Sequence, residues 1–315
     1  MSGLQATGLV EIRHDLDALA EPGFWAIVGT FEGEWTFARF SQVTKSEFNL
    51  STDSQLEVGP WSSSLNHSEY IAYVAEIKER IARGDVYQVN ACRVLNAFAK
   101  GDLIALMNRI LQFNPAPFAS YLSLPEIEIA SASPERFVSI SDGVITTSPI
   151  KGTSVNSTFL EKDHAENLMI VDLMRNDIGK VAKPGSISTP RLLATEEHPG
   201  LFHLVSDIRG EIRAGIGLAE ILKELMPPGS VSGAPKSSAL KIIKEREVER
   251  GPYCGAIGWW DGSRAEIAVG IRTFWKVDET IRFGTGAGIT WGSNPEQEWE
   301  ETELKARRLI ALVSQ

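Results

Sequence analysis

Strand-like and helix-like segments follow one another in irregular order along this 315-residue chain, and that order constrains the fold most. Short strand-like runs occupy residues 23–29 and 35–40, and a helical pattern starts near residue 66. Further strands are expected at 117–123 and 126–140. A doubly wound parallel sheet requires regular alternation of strands and helices, which this sequence lacks. The order therefore predicts an α+β fold.

Helix boundaries are signalled best at the first and last helices. Apolar residues recur at helical spacing between Ile71 and Ile81, with Ser68 as a plausible cap. Near the end of the chain, Asn294 is the expected cap and Pro295 the first helical residue. The remaining expected helices cover about 101–113, 159–175 and 236–250, and the remaining strands 86–91, 253–260, 265–275 and 280–289.

Composition excludes several classes of protein. The formal net charge is -10, from 41 acidic and 31 basic residues, and no basic run or zinc-ligand spacing predicts nucleic-acid binding. The two cysteines, Cys92 and Cys254, are too few and too far apart for a disulfide framework. The first residues do not resemble a signal peptide, and no apolar stretch approaches the roughly 20 residues of a membrane span. We therefore expect a soluble cytoplasmic protein without a membrane or nucleic-acid partner.

Lys151 is the first candidate catalytic residue. It lies between a proline and a glycine in Ser148–Thr153, directly after a strand-like run. Proline fixes the backbone and glycine permits unusual conformations, so the lysine is held at a strand end. If the side chain is buried, desolvation lowers its pKa and the free amine becomes a nucleophile. An ordinary surface lysine is the alternative for this residue taken by itself.

Two pairs of carboxylates form a candidate metal site. Asp163 and Glu166 are three residues apart in one helix, and Glu298 and Glu301 have the same spacing in the last helix. Lys305 continues that face by one turn. Mg²⁺ requires few protein oxygens and takes its other ligands from water and substrate. From spacing alone, solvated helix faces are the simpler explanation, because acidic pairs three residues apart are common.

Glycine-rich and basic positions supply candidate ligand contacts. Glycine alternates along the strand-like run Gly284–Gly288, which allows a ligand to approach the backbone. The loop Pro227–Lys236 precedes a helix and could present amides to an anion. Arg272 follows an apolar strand and could clamp a carboxylate. His203 lies in an apolar run, where a core histidine is the simpler interpretation.

Eight short segments, taken together and in order, resemble the chorismate-utilising enzymes, a family that includes anthranilate, aminodeoxychorismate, isochorismate and salicylate synthases. The resemblance covers the chain from about residue 66 to the end. The matching segments are Gly84–Asn90, Ser133–Phe137, Pro149–Thr153, Ala165–Asp177, His203–Ser206, Gly233–Lys236, Ile271–Thr273 and Glu298–Thr302.

The resemblance implies a fold, a domain division and an activity. It implies two large, mostly antiparallel β-sheets packed together with helices outside. Residues 1–65 would form a short β-rich region of the same fold, and residues 66–315 the chorismate-binding catalytic domain. Family members that add water have a lysine where this chain has Gln88, so an ammonia-using enzyme is implied. A lysine at position 151 marks the members that form 4-amino-4-deoxychorismate on the way to 4-aminobenzoate and folate.

The resemblance also assigns roles to individual residues. Lys151 would be the nucleophile and Glu135 the general acid on the departing hydroxyl. Glu166 and Glu301 would hold Mg²⁺, supported by Asp163 and Glu298. The residues expected to contact substrate are Gln88, His203, Arg272, Thr273, Gly286, Ala287, Gly288 and Lys305.

Ammonia is expected from a separate glutamine amidotransferase subunit, because no glutaminase motif occurs in the chain.

Three alternatives compete with this interpretation. An anthranilate-forming enzyme is the nearest alternative, although Lys151 argues against it. A pyridoxal phosphate enzyme using the same lysine lacks a phosphate-binding pattern. A non-catalytic chorismate-binding subunit would not need both Glu135 and Lys151.

Overall fold

Strands dominate the architecture, and the order of elements is as irregular as the sequence predicts. The computed structural model describes residues 1, 3–46, 55–154, 156–198 and 201–313. The described strands are β1 (Leu4–Arg13), β2 (Phe24–Gly29), β3 (Trp35–Lys45), β4 (Leu56–Val58), β5 (Ser62–Ser63), β6 (Gln88–Gly101), β7 (Ser120–Ser123), β8 (Glu128–Ser131), β9 (Arg136–Ser141), β10 (Val144–Ser148), β11 (Ile150–Ser154), β12 (Ser188–His198), β13 (Leu201–Glu211), β14 (Gly233–Ala234), β15 (Ala256–Trp260), β16 (Ala265–Val269), β17 (Thr273–Val277) and β18 (Thr280–Ile289).

Six α-helices and two short 3-10 turns complete the described chain. The helices are α1 (His67–Ala82), α2 (Ile104–Phe113), α3 (Glu161–Gly179), α4 (Leu218–Leu225), α5 (Lys236–Arg246) and α6 (Pro295–Val313). The 3-10 turns are Leu16–Ala20 and Gly229–Val231. None of these helices combines the length and apolar character that a membrane span needs.

The strands form two antiparallel sheets, which confirms the predicted α+β class. Ten strands form the first sheet in the order β1-β3-β2-β15-β16-β9-β10-β13-β11, with β12 paired to β13. Eight strands form the second sheet in the order β14-β6-β18-β17-β8-β7, with β4 and β5 paired to β6. Strands of the N-terminal region and strands near the C-terminus are neighbours in the first sheet, because β2 pairs with β15.

One apolar core joins the two sheets. Trp25, Ile27 and Ile267 from the first sheet pack in the same buried cluster as Val89 and Ile129 from the second. These apolar side chains lie 0% exposed, so water is excluded from the space between the sheets. Burial of this kind is the main favourable term in folding. It holds the strand ends that carry the candidate site residues.

Helix ends follow local capping chemistry, and one expected cap is wrong. Asn66, not Ser68, caps α1, since its side chain accepts a hydrogen bond from the Glu69 amide at 3.0 Å. The Glu69 carboxylate accepts from the Asn66 amide in return, at 2.8 Å. Asn294 does cap α6, accepting from the amides of Glu296 and Gln297 at 3.0 and 3.2 Å.

Some elements differ from the sequence expectations. The sequence analysis did not identify α4 or the long strands β1, β12 and β13. Helix α5 ends at Arg246, earlier than expected, because Arg250 is buried and ion-paired to Glu247 at 2.7 Å. The buried Arg250 guanidinium also donates to the Val231 and Asn90 carbonyls, at 3.1 and 2.7 Å, and these partners lie outside α5.

Helix α6 is fixed to the second sheet by Arg93 of β6. The Arg93 guanidinium is buried, donates to Thr302 Oγ1 at 3.1 Å and pairs with the Glu303 carboxylate. It also lies over the Trp299 ring, 4.2 Å from the ring centroid. These contacts set the rotation of α6 about its axis, and therefore the direction of the face that carries Glu301 and Lys305.

Candidate active site

Lys151 lies on β11, with its amine surrounded by charged groups from three elements. Burial lowers the pKa of the amine, and the nearby Lys305 ammonium lowers it further. The carboxylates of Glu135, Glu166 and Glu301 act in the opposite direction and raise it. Electrostatic interaction with all four groups places Lys151 at the centre of the predicted set. The net pKa lies below the ordinary value of lysine.

Glu135 is the second buried titratable group at this centre. Its side chain is 4% exposed, in the connection between β8 and β9. Burial raises its pKa from 4.5 to about 7, against the opposing effects of a hydrogen bond from Ser230 and the charge of Lys151. A carboxyl group with this pKa can be protonated near neutral pH and can donate a proton to a leaving group.

Gln88 and Gly288 lie beside the Lys151 amine. A Cβ added to Gly288 would be 2.5 Å from Gln88 Nε2 and 3.8 Å from Lys151 Nζ. Gln88 begins β6 and is 2% exposed, and its Oε1 has no hydrogen-bond partner among the described residues. Glycine at position 288 therefore leaves room for the amide and the amine in one space.

Helix α6 brings Lys305 and Glu301 to the glycine-containing strand. Lys305 Nζ donates to the Gly286 carbonyl at 3.0 Å and forms an ion pair with Glu301 at 2.6 Å. Gly286 lies opposite Cys92 on β6, and an added Cβ would be 2.5 Å from the Cys92 sulfur. Ala287 is 0% exposed. The strand, the helix and the Lys151 amine thus form one continuous site.

Arg272 lies just before β17 in a left-handed conformation, with a φ of 51°. No hydrogen bond or ion pair reaches its guanidinium from the described part of the chain. Burial and the charge of Arg308 lower its pKa. Such a group attracts an anion. Thr273 differs, because its hydroxyl contacts the Ile271 carbonyl at 2.9 Å and the Ser131 hydroxyl at 2.8 Å.

Three further predicted residues, His203, Asp163 and Glu166, lie on the neighbouring elements β13 and α3. His203 is 1% exposed on β13, which pairs with β11. Asp163 and Glu166 lie in the first turns of α3, where Asp163 Oδ2 accepts the Leu160 amide at 2.8 Å. The Asp163 carboxylate therefore caps its own helix.

The candidate metal ligands are carboxylates on α3 and α6. Glu298 is 6% exposed on α6. In the described ranges, no three His, Cys, Asp or Glu side chains cluster closely enough to form a metal site alone. Glu166 on α3 and Glu301 on α6 both act electrostatically on the Lys151 amine. Two carboxylates fit a Mg²⁺ ion that takes its other ligands from substrate and water.

Ser230 is a site residue that the sequence analysis did not single out. Its hydroxyl donates to Glu135 Oε1 at 2.5 Å, across a separation of 95 residues. The sequence of the surrounding loop indicates only a possible source of backbone amides. A serine between glycine and valine has no local feature that indicates a distant carboxyl partner.

The matching family model and the similar curated proteins agree with each other. The model for chorismate binding enzymes matches residues 32–311. The chain is 37% identical over 278 residues to anthranilate synthase component 1 of Saccharolobus solfataricus, covering 82% of this chain and 65% of that protein. It is 36% identical over 288 residues to aminodeoxychorismate synthase component 1 of Salmonella typhimurium, covering 87% of this chain and 63% of that protein. The chain thus spans less than two thirds of these curated relatives.

A solved structure gives the same fold. The crystal structure of anthranilate synthase component I from Streptococcus pneumoniae superposes with a TM-score of 0.85 at 21% sequence identity. The superposition covers 97% of this chain and 91% of that one. At this identity the likeness concerns the fold alone.

Proposed function

Because this chain belongs to the family of chorismate-binding enzymes, we propose that it converts chorismate and ammonia to 4-amino-4-deoxychorismate. One observation carries the proposal: Lys151 and Glu135 interact in the same buried space, and their pKa values change in opposite directions. Burial favours the uncharged form of both groups. The lowered pKa of Lys151 favours its free amine, and Glu135, with a pKa of about 7, still holds its proton in part near neutral pH.

The first chemical step uses both groups. The Lys151 amine forms a bond to ring carbon C2 of chorismate while the C4–oxygen bond breaks and the ring double bond shifts. Glu135 gives its proton to the departing oxygen, which leaves as water. The product of this step is a covalent adduct between Lys151 and the ring.

The second step releases the lysine. Ammonia forms a bond to C4, the bond between C2 and the Lys151 nitrogen breaks, and the double bond returns. The proton lost from the incoming nitrogen is taken up by the Glu135 carboxylate, which restores the acid. Two displacements place nitrogen where oxygen was, with retained geometry. Gln88, whose carbonyl oxygen is unpartnered among the described residues, can accept a hydrogen bond from ammonia.

Substrate carboxylates have matching cations in the site. Arg272 can bind a carboxylate through its guanidinium, and Lys305 can bind one beside Gly286. His203 would lie near the ring or the enolpyruvyl group. Glu166 and Glu301 would hold Mg²⁺, which would supply positive charge to the ring carboxylate, with Asp163 and Glu298 behind them.

We further propose that a partner supplies the ammonia. The similar proteins are named as component 1, which implies a second component in those proteins. A glutamine amidotransferase subunit would provide ammonia to this chain, and the product would lead to 4-aminobenzoate and folate. An anthranilate-forming activity is the second candidate, because a relative with that name is 37% identical. Lys151 favours the first activity, since ammonia addition without net transposition needs a nucleophile.

Product analysis tests the proposal. Purified protein is incubated with chorismate, Mg²⁺ and excess ammonium at mildly alkaline pH, and the products are separated by liquid chromatography and mass spectrometry. Subsequent addition of an aminodeoxychorismate lyase should give 4-aminobenzoate. Anthranilate formed without the lyase would support the second candidate and reject the first. If neither product forms, even with an amidotransferase and glutamine, both candidate activities are rejected.

A further inference from the structure

The carboxyl group of Glu135 makes one close polar contact. Ser230 Oγ donates to Glu135 Oε1 at 2.5 Å, and the two side chains are 5% and 4% exposed. Within the described ranges, no other hydrogen bond reaches either carboxyl oxygen. Oε2 is therefore the oxygen available to a bound substrate. The short, buried contact distinguishes the two oxygens of this acid.

Ser230 is held by a network outside the site. It lies in the turn Gly229–Val231, which is 3-10 in geometry. The Val231 carbonyl accepts hydrogen bonds from Arg250 Nη1 and Asn90 Nδ2, both at 3.1 Å. Arg250 is 1% exposed and Asn90 is 8% exposed. The turn therefore has little freedom to move the hydroxyl away from its acceptor.

The backbone of Glu135 is fixed as well. Its carbonyl accepts the Val269 amide at 3.0 Å, and its amide donates to Ser133 Oγ at 3.3 Å. Ser133 Oγ in turn donates to the Val269 carbonyl at 2.6 Å. Donor and acceptor of the contact between Ser230 and Glu135 are thus both placed by other parts of the fold, so the hydrogen bond is formed before substrate arrives.

We infer that Ser230 is a positioning residue that occupies Oε1 of Glu135, so that the acidic proton is carried by Oε2 and directed toward the leaving oxygen of the substrate. The inference rests on the proposed function for its catalytic consequence. Its structural part, the assignment of the two carboxyl oxygens, does not depend on turnover. Neither Ser230 nor its hydrogen bond is part of the mechanism described above.

The same hydrogen bond adjusts the strength of the acid. Burial raises the pKa of Glu135, and the Ser230 hydroxyl opposes it by stabilising the ionised form. The charged group that acts on Glu135 is Lys151 from β11, whose own charged neighbours are Lys305, Glu166 and Glu301. Without the Ser230 hydroxyl, burial would raise the pKa of Glu135 further. The carboxyl group would then be too weak an acid to protonate the leaving oxygen. General acids work best with a pKa near the working pH.

Three variants test the inference. Ser230→Ala removes the donor, Ser230→Thr retains a hydroxyl, and Ser232→Ala removes a hydroxyl from the same loop. Ser232 is a matched control, since its Oγ donates to the Pro228 carbonyl at 2.7 Å and is 0% exposed. The first readout needs no substrate: infrared spectroscopy follows the protonated carboxyl band against pH, and Glu135→Gln assigns it.

We expect Ser230→Ala to raise the pKa of Glu135 from about 7 to about 8. Ser230→Thr and Ser232→Ala should leave it near the wild-type value. The second readout is the pH profile of turnover. The limb at high pH, where Glu135 loses its proton, should move upward in Ser230→Ala alone, with kcat at neutral pH reduced about tenfold.

The outcomes are distinguishable. An unchanged carboxyl titration in Ser230→Ala overturns the inference, whatever the activity. The inference is also overturned if Ser230→Ala loses activity without a shift of its pH profile and Ser232→Ala shows the same loss. That pattern would indicate a structural role. If the titration shifts as expected but no variant and no wild-type protein forms product, the proposed function fails while the control of the Glu135 pKa by Ser230 stands.

Discussion

Replacing Glu135 by glutamine should make the protein more stable and less active. In the unfolded chain the carboxyl ionises near 4.5, whereas in the folded protein it keeps its proton up to about 7. Between these pH values the folded state binds more protons, so the free energy of unfolding falls as pH rises. A difference from 4.5 to about 7 corresponds to about 3 kcal/mol at about pH 8, at roughly 1.4 kcal/mol for each pH unit.

Glutamine at position 135 removes this loss of stability at high pH, because its side chain does not ionise. Its side-chain carbonyl can still accept the hydrogen bond that Ser230 gives to Oε1, so the contact at 2.5 Å is preserved. The variant should therefore exceed the wild type in stability by up to about 3 kcal/mol at about pH 8, and the difference should disappear below about pH 4.5. Turnover should fall by about 10²- to 10⁴-fold, because no proton can be given to the leaving group.

Urea unfolding at several pH values measures the stability difference, and single-turnover assays with chorismate and ammonium measure the chemical step. Glu220→Gln, which removes an exposed carboxylate on α4, controls for the change in net charge. Equal stability of Glu135→Gln and wild type at both ends of the pH range would refute the raised pKa. Wild-type turnover in Glu135→Gln would refute its role as the general acid.

Other perturbations should act on separate parts of the site. Lys151→Ala should abolish 4-amino-4-deoxychorismate formation while leaving circular dichroism unchanged, and unaltered turnover would contradict the nucleophile assignment. Arg272→Ala should raise the KM for chorismate by about 10- to 100-fold, with a smaller effect on kcat. Gly288→Ala should slow turnover because its Cβ would be 2.5 Å from Gln88 Nε2, which steady-state kinetics can measure. Chelation by EDTA should stop the reaction, and Glu301→Gln should require more Mg²⁺ to recover it.

Some features of the fold can be predicted from the sequence because they depend on contacts between residues close together in the chain. The cap at Asn294 and the first helical residue Pro295 use contacts within four residues, and α6 begins where they predict. By contrast, β12 and β13 are recognisable only as partners of each other and of the first sheet. The cap of α1 was misplaced because Ser68 and Asn66 are both suitable residue types, and the reciprocal contact with Glu69 decides between them.

The candidate site also has features that the sequence predicts and features that only the fold reveals. Short segments around Lys151, Arg272 and Glu301 are sufficient to suggest the chemistry, since side-chain type and order are properties of the sequence. Their meeting in space is not, because Lys151 lies on β11 while Glu301 and Lys305 lie on α6. Asp163 shows what spacing alone leaves out, because only the folded helix start reveals that its carboxylate accepts a hydrogen bond from the Leu160 amide.

The sequence by itself determined which reactive groups this protein has and the family to which it belongs. The tertiary structure decided their protonation, because a pKa depends on burial and on charges that approach from distant parts of the chain. Lys151 becomes a weaker base and Glu135 a weaker acid only when the sheets close around them. The contact between Ser230 and Glu135 spans 95 residues, and only folding brings the two side chains together.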